Sequence, residues 1–461
     1  MQILSYRGPN APGGVSNAIT QIYHQNQGTG DWWYIDGEHL RSTSTLSADS
    51  TILINAELSA KHYGYCNNFL WPMLHDLPHL AHYSEEERQC YKELNLAIAF
   101  RLRRAATRWG YFVNDYQFAL TPQLLQGAAD TFAFWHVPFP KNVRPDHVDA
   151  VIELAEGLLH AKVVGFHTDE YRENFFRFVS THMSRHYAVT DRHAITRFDR
   201  IGGPGHTTRF VVAPLGLDSD LWHSLVNVES LHTQTNLPEN IPFILSVDRA
   251  DYAKGIVERI DAIDQFFAQY PQWRERVAFL QVGTRSRPGL PEFDHYWLDC
   301  QNRLSTLNLK YGSDHWRPLV WIDAPRSSAE LANLYSRAAA MIVSPLRDGL
   351  NLTAKEFIAC QSLKQDSLSD FGGGVLALSS GAGVWHELGN QCVPIEPENK
   401  HAFAQSILAC LTMSKSEKYR RLRQMKESLA ANSLEGWWQS FESACRQPMP
   451  LRDRVLEKIC G

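Results

Sequence analysis

Short apolar runs alternate with longer segments of helical periodicity along this chain, an arrangement typical of α/β proteins with parallel sheets. In the first half, the apolar runs predict strands over residues 2–5, 51–55, 111–113, 131–135, 161–166 and 209–214. Helical periodicity predicts helices over residues 85–106, 148–159 and 170–184. We therefore predict an α/β fold.

The alternation begins again after residues 229–242, which are polar and poorly periodic. Strands are predicted over residues 243–247, 277–282, 319–322, 339–343, 374–378 and 392–394, and helices over 255–269, 290–309, 328–337, 353–362, 400–412 and 415–446. A chain of 461 residues exceeds what one hydrophobic core usually supports, so two doubly wound domains are predicted. We place them at residues 1–228 and 229–435, with a helical segment at 436–461 that packs back on the first domain.

Two strand ends in the second half carry the residue types of a phosphate site. The strand predicted at 339–343 runs through Asp348 and Gly349 into a helix, which aims free N–H groups and a positive helix end at one point. The strand at 243–247 runs into a polar turn with Arg249 and Lys254. Two cations that face an N–H cradle can hold a diphosphate and stabilise it as a leaving group. The sequence therefore predicts a nucleotide diphosphate site at these strand ends.

Composition and charge restrict the partners and the compartment. The chain is 44% hydrophobic and 21% charged, as in an ordinary soluble globular protein, and its formal net charge is −5. Nucleic acids and membrane surfaces favour basic patches, and no Lys/Arg-rich run is present, so we expect neither partner. The eight cysteines are scattered and no secretory signal or long apolar span stands out, which indicates a cytoplasmic protein.

A series of short motifs extends over nearly the whole chain. It includes Arg7 with Gly13-Gly14, Trp135-His-Val-Pro-Phe-Pro140, Arg249-Ala-Asp-Tyr-Ala-Lys-Gly255 and Pro345-Leu-Arg-Asp-Gly-Leu-Asn-Leu352. In order and spacing these motifs resemble the trehalose-6-phosphate synthase family of retaining, nucleotide-sugar-dependent glycosyltransferases. The resemblance implies the GT-B architecture, in which two Rossmann-like domains have the active site in the cleft between them.

The resemblance also implies an activity. Glucose would pass from a nucleoside-diphosphate glucose, UDP-glucose in the main interpretation, to glucose 6-phosphate with retained anomeric configuration, in trehalose biosynthesis and osmoprotection. No covalent sugar intermediate, cofactor or metal is expected. The implied partners are the nucleotide-sugar donor and a phosphorylated sugar or polyol acceptor, and a homo-oligomer is compatible with the family.

Site residues are carried over by matching positions. The residues implied in catalysis are Arg249, Lys254, His136 and Asp115. The residues implied in donor binding are Gly14, Asp348, Gly349, Leu350, Asn351, Leu352 and Glu356. The residues implied in acceptor binding are Arg7, Trp71, Tyr63 and Arg287, with Arg285 as the alternative to Arg287.

The chain departs from the family pattern at two places. Asn114 and Gln117 flank Asp115 where the family usually has histidines. His62 stands where the family has a tyrosine on the acceptor phosphate, so the neighbouring Tyr63 could take that role. If His62 itself faces the phosphate, acceptor binding should strengthen as pH falls towards its usual pKa of ~6.5.

Two alternative functions stay open on the sequence. The first is the same chemistry on glycerol 3-phosphate, as in the related glucosylglycerol-phosphate synthases. The second is an inactive regulatory subunit, which the intact Arg249 and Lys254 pair speaks against. The Asp218-Ser-Asp220 sequence spells a metal-binding Asp-x-Asp, but its place before an apolar run predicts a helix cap instead.

Overall fold

The computed structural model describes residues 1–9, 11, 13–25, 30–43, 51–105, 107, 109–198, 204–227, 237, 241–363 and 374–447. Its contacts divide the chain into two units. Unit 1 comprises Met1–Leu215 and Glu435–Gly461, and unit 2 comprises Gly216–Leu434. Each unit has its own β-sheet.

Unit 1 is built on a mixed β-sheet, and helices connect many of its strands in sequence. Its strands are β1 Gln2–Ser5, β2 Trp32–Asp36, β3 His39–Ser42, β4 Thr51–Leu53, β5 Tyr111–Asn114, β6 Thr131–Trp135, β7 Val163–Phe166, β8 Tyr187–Asp191, β9 Ala194–Phe198 and β10 Pro204–Val212. Its helices are α1 Gly14–Gln25, α2 Ala56–Gly64, α3 Trp71–Leu74, α4 Glu85–Arg104, α5 Thr121–Leu124, α6 Val148–Leu158 and α7 Asp169–His182. A π-helical stretch, Tyr65–Leu70, joins α2 to α3.

The strand order of this sheet is β4-β3-β2-β1-β5-β6-β7-β10-β9-β8. The six central strands, β2 to β10 in that order, are parallel, and both ends are antiparallel. After β1, the strands β2, β3 and β4 are added on one side of β1, whereas β5 and the strands after it are added on the other side. Side chains that follow β1 and β5 therefore lie at the point where strand order reverses, a common place for ligands in open α/β sheets.

Unit 2 has a fully parallel sheet. Its strands are β11 Phe243–Val247, β12 Ala278–Val282, β13 Leu319–Ile322, β14 Ala340–Val343, β15 Val375–Ser379 and β16 Val393–Ile395. Its helices are α8 Ser219–Ser224, α9 Ile256–Gln269, α10 Pro291–Tyr311, α11 Ser328–Arg337, α12 Leu352–Cys360, α13 Trp385–Leu388, α14 Lys400–Thr412 and α15 Lys415–Ala431. The order β13-β12-β11-β14-β15-β16 is that of a Rossmann fold, with the reversal between β11 and β14.

The core of unit 2 explains its apolar strands. One face of the sheet, including Ile244 and Ile342, packs with side chains of α9, α10 and α14 such as Phe266 and Phe403. Strand residues on the other face, such as Leu245, are also buried. Strands buried on both faces read as continuous apolar runs, which is why their positions were predictable.

A last helix, α16 Leu434–Arg446, packs on the sheet of unit 1 through aromatic rings. Trp438 and Phe441 contact Phe112 of β5, at ring distances of 5.7 and 5.1 Å, and Trp437 contacts Phe134 of β6 at 5.2 Å. Gly165 on β7 makes room for them, because a Cβ there would lie 2.4 Å from the Phe134 ring. The absence of a side chain at this position lets the aromatic layer close over the strands.

Most predicted strands and helices are present within a few residues, so the α/β prediction with two Rossmann-like domains is confirmed. The prediction of one helix over residues 415–446 is wrong, because α15 ends at Ala431 and α16 begins at Leu434. The predicted domain bounds stay predictions, and residues 228–236, 238–240 and 448–461 lie outside the described part of the chain. Within the described ranges, no helix has the length and apolar character needed to cross a membrane.

Candidate active site

The turn after β11 carries the two predicted cations of unit 2. Arg249 is exposed, and the Lys254 side chain keeps 15% of its surface accessible. Gly255 ends the turn with φ of +62°, and a Cβ there would lie 2.1 Å from the carbonyl oxygen of Ser344. Glycine is therefore needed for this turn to approach the end of β14 so closely.

The turn after β14 leads into α12 as predicted. Asn351, with φ of +77°, caps the helix, and its Oδ1 accepts hydrogen bonds from the Thr353 hydroxyl at 2.7 Å and the Ala354 amide at 3.4 Å. The first amides of α12 have no carbonyl partner inside the helix, and a helix end of this kind favours an anion. The Gly349 amide differs from the prediction, because it donates to Oδ1 of Asp348 at 2.9 Å.

A direct ion pair joins the two turns. The Nζ of Lys254 lies 2.6 Å from Oδ2 of Asp348, and Nδ2 of Asn351 donates to the same oxygen at 3.1 Å. The Leu346 amide also donates to the Ala253 carbonyl at 2.9 Å. The structure thus brings together four of the predicted residues, Lys254, Asp348, Gly349 and Asn351, at the strand reversal of unit 2.

A buried arginine, Arg259, hydrogen-bonds to residues at the start of the turns after β11 and β14. Arg259 on α9 is 2% exposed and donates to Asp248 at 2.9 Å, Ser344 at 3.0 Å and Gln281 at 2.6 Å. These three residues follow or belong to β11, β14 and β12. Burial raises the pKa of Asp248, and the nearby Arg259 opposes that shift. Arg259 therefore fixes three strand ends with one guanidinium.

Glu356 lies on the first turns of α12, and its carboxylate accepts the Tyr335 hydroxyl at 2.9 Å. Burial raises the pKa of Glu356 to about 7, against the opposing effect of Tyr335. The carboxyl group therefore changes its charge near neutral pH. Its predicted contact with ribose hydroxyls stays a prediction.

The two candidate arginines after β12 have different surroundings. Nη1 of Arg287 lies 2.5 Å from the buried carboxylate of Asp251, and its guanidinium lies 4.7 Å from the ring centre of Phe293. Arg285 is more exposed and pairs with Asp294 at 2.5 Å. Asp251 belongs to the turn after β11, which also carries Lys254. Of the two arginines, Arg287 is therefore the one whose ion pair connects it to that turn.

In unit 1, Asp115 occupies the end of β5 in a strained conformation. Its φ of +70° and ψ of 175° are unusual for a residue with a side chain and cost about 1–3 kcal/mol. The conformation turns the carboxylate towards the backbone, where Oδ1 accepts the His136 amide at 3.1 Å. Burial raises the pKa of Asp115 to about 7, although the amides of His136, Tyr116 and Val137 oppose the shift. The structure thus brings Asp115 and His136 together, as predicted.

A directed chain of hydrogen bonds fixes the tautomer of His136. The Leu215 amide donates to Nδ1 of His167 at 3.3 Å, so the proton of His167 resides on Nε2. That nitrogen lies 3.3 Å from Nδ1 of His136, which must accept. Nε2 of His136 then donates to Oδ1 of Asn114 at 3.1 Å. Both ring nitrogens of His136 are engaged, and burial holds its pKa well below the usual range.

The acceptor residues predicted in unit 1 lie near the ends of β1 and β5. Arg7 is exposed and follows β1. Gly14, a predicted donor residue, begins α1. Tyr63 packs against Tyr6, the neighbour of Arg7, with ring centres 6.0 Å apart. Trp71 is 8% exposed, and its ring centre lies 3.9 Å from that of His75, at a tilt of 33°, and 6.2 Å from that of Tyr116. Their contacts with an acceptor stay predictions.

The expectation that His62 could bind and sense a phosphate is wrong. The residue is fully buried, and its Nε2 donates to the Gln117 carbonyl at 3.1 Å. Its ring stacks on Tyr91 at 5.3 Å and on Tyr6 at 6.1 Å. Burial lowers the pKa of His62 to about 4, so the ring is neutral at physiological pH.

The sequence was compared with protein families and with curated proteins. The family model described as glycosyltransferase family 20 matches residues 37–447. The chain belongs to glycosyltransferase family 20. It is 31% identical to a bifunctional trehalose-6-phosphate synthase/phosphatase of Thermoproteus tenax over 88% of this chain and 54% of that protein. It is 28% identical to a trehalose-6-phosphate synthase of Mycobacterium avium over 95% of this chain and 91% of that protein.

A solved structure supports the fold. The α,α-trehalose-phosphate synthase (UDP-forming) from Burkholderia xenovorans, crystallised with glucose 6-phosphate, is 25% identical and has a TM-score of 0.84. The alignment covers 97% of this chain and 99% of that one. The predicted fold of two Rossmann-like domains and the family resemblance are therefore confirmed. The chain spans about half the length of the bifunctional relative and nearly all of the other two.

Sequence reasoning about this family 20 member missed two supporting residues. His136 directly follows β6, and His167 directly follows β7. Because these two strands are parallel neighbours, their carboxyl ends lie at the same edge of the sheet. The contact between the two histidines could therefore have been predicted from the strand pairing. Arg259 lies among Ile256, Ile260 and Ile263 on the apolar side of α9. A charged residue within an apolar stripe requires buried partners, and that signal was present in the sequence.

Proposed function

We propose that this chain is a retaining glycosyltransferase that moves glucose from UDP-glucose to glucose 6-phosphate and forms trehalose 6-phosphate. The observation that carries the proposal is the Lys254–Asp348 junction at the strand reversal of unit 2, beside the open amides of α12. It combines a cation, a helix N-terminus and a Rossmann strand order, which suit a nucleotide diphosphate. Family membership and the relatives' printed activities support the substrates.

In the proposed reaction, the bond between the sugar C1 and the β-phosphate oxygen breaks as a new bond forms from C1 to the acceptor hydroxyl oxygen. The acceptor proton passes to the departing diphosphate on the same face, so configuration is retained. Negative charge grows on the diphosphate during this step. Arg249, Lys254 and the first amides of α12 would stabilise that charge, which is the main contribution of the protein.

The diphosphate would also change the ion pair that joins the turns. Lys254 pairs with Asp348, and a diphosphate would offer it stronger negative charge. Asp348, Gly349, Leu350, Asn351 and Leu352 would then frame the donor, and Glu356 would accept hydroxyl hydrogens of the ribose. We assign the donor diphosphate and nucleoside to unit 2.

The sugar and acceptor roles belong to unit 1 in this proposal. Asp115 would accept sugar hydroxyls with its carboxylate, and Arg7 would pair with the acceptor phosphate. Since both nitrogens of His136 are used by His167 and Asn114, His136 would act by shaping the sugar pocket rather than by proton transfer. Tyr63 and Trp71 would line the same region. Two predicted residues fall outside this division, because Gly14 of unit 1 would contact the donor and Arg287 of unit 2 would add charge for the acceptor.

The test is an acceptor screen that follows UDP release from UDP-glucose. Glucose 6-phosphate should support turnover, and NMR of the product should show the retained α-configuration. Lys254→Ala should abolish most of the turnover, whereas Lys310→Ala, an exposed lysine on α10, serves as the matched control. Exclusive use of glycerol 3-phosphate would instead establish the glucosylglycerol-phosphate alternative. UDP-glucose binding without turnover on any acceptor would establish the regulatory subunit.

A further inference from the structure

One carboxylate oxygen of Glu356 is fixed by a buried tyrosine. Tyr335 of α11 is fully buried, and its hydroxyl donates to Oε2 of Glu356 at 2.9 Å. Among the described residues, this hydroxyl is the only hydrogen-bond donor to the carboxylate. The other oxygen, Oε1, has no donor among them and keeps some accessible surface, since Glu356 is 9% exposed. One oxygen is thus held from inside the protein, and the other is open to a ligand.

The tyrosine is itself held in place by its neighbours. Its backbone carbonyl accepts Nε2 of Gln361, the residue that ends α12, and Oε1 of Gln361 accepts the Gly374 amide at 2.8 Å. The ring of Tyr335 lies 5.9 Å from that of Trp222 on α8 and 6.4 Å from that of Phe357 on α12. The hydroxyl therefore has a fixed position relative to α12.

The contact lies on the side of the sheet that carries the predicted donor residues. The helices α11 and α12 follow β13 and β14, so both begin at the carboxyl edge of the sheet. Helical side chains lean towards the amino end of their helix, so those of Tyr335 and Glu356 lean towards that edge. Asp348 and Asn351 lie there too, in the turn before α12. Because the ribose of a nucleotide adjoins its diphosphate, a carboxylate beside this turn is placed for the ribose.

We propose that Tyr335 is a positioning residue of the donor site, which holds Glu356 so that its second oxygen receives a ribose hydroxyl. The inference rests on the proposed function, because it takes the donor nucleoside to bind unit 2. Ordering a flexible side chain on binding typically weakens affinity by about two- to tenfold, and a carboxylate that is already ordered avoids this loss. A site built to hydrogen-bond a hydroxyl also rejects a ligand that lacks it. Tyr335 therefore contributes to the selection of ribonucleotides through Glu356.

The hydroxyl also favours the ionised carboxylate. Burial raises the pKa of Glu356 to about 7, and the hydrogen bond from Tyr335 opposes that shift. Removing the hydroxyl should raise this pKa further, because a hydrogen bond to the charged form is lost. Other ionisable groups near the pair lie on α12, after β11 and on α15, and they are Cys360, Asp248 and Lys426. A Glu356→Ala background separates their titration from that of Glu356.

Calorimetry on the full chain tests the proposal with two nucleotides, UDP and 2′,3′-dideoxy-UDP, which lacks the ribose hydroxyls. Tyr335→Phe should weaken UDP binding by about two- to tenfold and change the affinity for the dideoxy nucleotide by less than about twofold. The matched control is Tyr311→Phe, because the Tyr311 hydroxyl donates to the Asp264 carbonyl at 3.2 Å at the end of α10. This control should bind both nucleotides as the wild type does. Equal weakening of both nucleotides by Tyr335→Phe would overturn the proposal.

A double variant shows whether the hydroxyl acts through the carboxylate. In a Glu356→Ala background, Tyr335→Phe should change UDP affinity by less than about twofold, because there is no carboxylate to position. This comparison holds even if Tyr335→Phe alone does not fold, since the double variant leaves no unpaired carboxylate. A further loss beyond about twofold in this background would contradict the proposal.

The pH dependence of UDP affinity separates positioning from a purely structural role. In the wild type, affinity should rise as Glu356 ionises, and in Tyr335→Phe that rise should move upwards by about 0.5–1 pH unit, the effect of one lost hydrogen bond. A rise at unchanged pH, or unchanged UDP affinity in Tyr335→Phe, would overturn this proposal alone. Absence of UDP binding in the wild type would overturn both this proposal and the proposed function. UDP binding without turnover would count against the transferase and leave the role of Tyr335 to be decided by these affinities.

Discussion

Replacing His167 by leucine is expected to destabilise unit 1 by about 2–6 kcal/mol. The substitution removes the acceptor of the Leu215 amide and the donor to Nδ1 of His136. Leu215 and His136 are 1% and 5% exposed, so water cannot readily replace the lost partner. Each buried polar group left unpaired costs about 1–3 kcal/mol, and two such groups give the stated range. That range is a large part of the about 5–15 kcal/mol that stabilises a typical domain.

His167→Gln is the matched control. A glutamine amide can accept from Leu215 with its oxygen and donate to His136 with its nitrogen, which preserves the direction of the chain. The glutamine variant should therefore lose clearly less stability than the leucine variant. Urea unfolding of both variants, followed by tryptophan fluorescence, measures the difference.

The tautomer of His136 provides a second measurement that a purely steric effect would not change. In ¹⁵N-histidine-labelled wild type, NMR should show neutral rings with the proton on Nε2 for both His136 and His167. The glutamine variant should keep this tautomer at His136. A proton on Nδ1 of His136 in the wild type, or equal stability of the leucine and glutamine variants, would refute the reasoning.

Replacing Arg249 or Lys254 by alanine should lower kcat by on the order of 10²-fold, because the lost charge acts on the developing diphosphate. Initial rates beside Lys310→Ala test this, and near-normal turnover would remove these cations from the mechanism. Raising pH through about 7 should increase donor kcat/KM as Glu356 ionises, and Glu356→Gln should flatten that rise. An identical pH profile in the variant would contradict this role for Glu356. The native state binds the Glu356 proton more tightly than the unfolded state, whose pKa is near 4.5, so stability should fall as pH rises from about 4.5 to 7. In thermal unfolding across that pH range, the stability of Glu356→Gln should fall less than that of the wild type. An equal fall in both proteins would contradict the assignment of this effect to Glu356. Turnover should survive EDTA, because Asp218 caps α8 by accepting the Leu221 amide at 2.9 Å. Loss of activity that Mg²⁺ restores would contradict that prediction.

The parts of the fold that sequence reasoning predicted well are those with strong local signals. β11 and β14 are apolar runs that end in Gly-containing turns, and both lie where predicted. By contrast, α1 is not among the predicted helices, because glycine is a poor helix former and Gly14 is the first residue of this helix. The break between α15 and α16 at Asn432 had a signal, because asparagine commonly ends helices.

The burial and ionisation state of a side chain were harder to predict than its position in the sequence motif. His62 has Tyr63 beside it in sequence, but the groups that bury and neutralise it are Tyr91, Phe118 and the Gln117 carbonyl. These partners are 29 to 56 residues away along the chain. A pKa depends on such distant contacts, so the sequence supplied the candidate without its ionisation state.

The two units differ in how they distribute charge at their strand reversals. In unit 2 the turns carry Arg249 and Lys254 beside a helix N-terminus, all of which favour an anion. In unit 1 the side chains after β5 and β6 are a carboxyl group with a pKa raised to about 7 and a neutral imidazole engaged at both nitrogens. Such groups suit hydroxyls of a sugar, because a neutral ligand does not have to compensate a fixed charge. The proposed division of tasks, with charge stabilisation in unit 2 and orientation of the sugar in unit 1, follows this difference in charge at the two strand reversals.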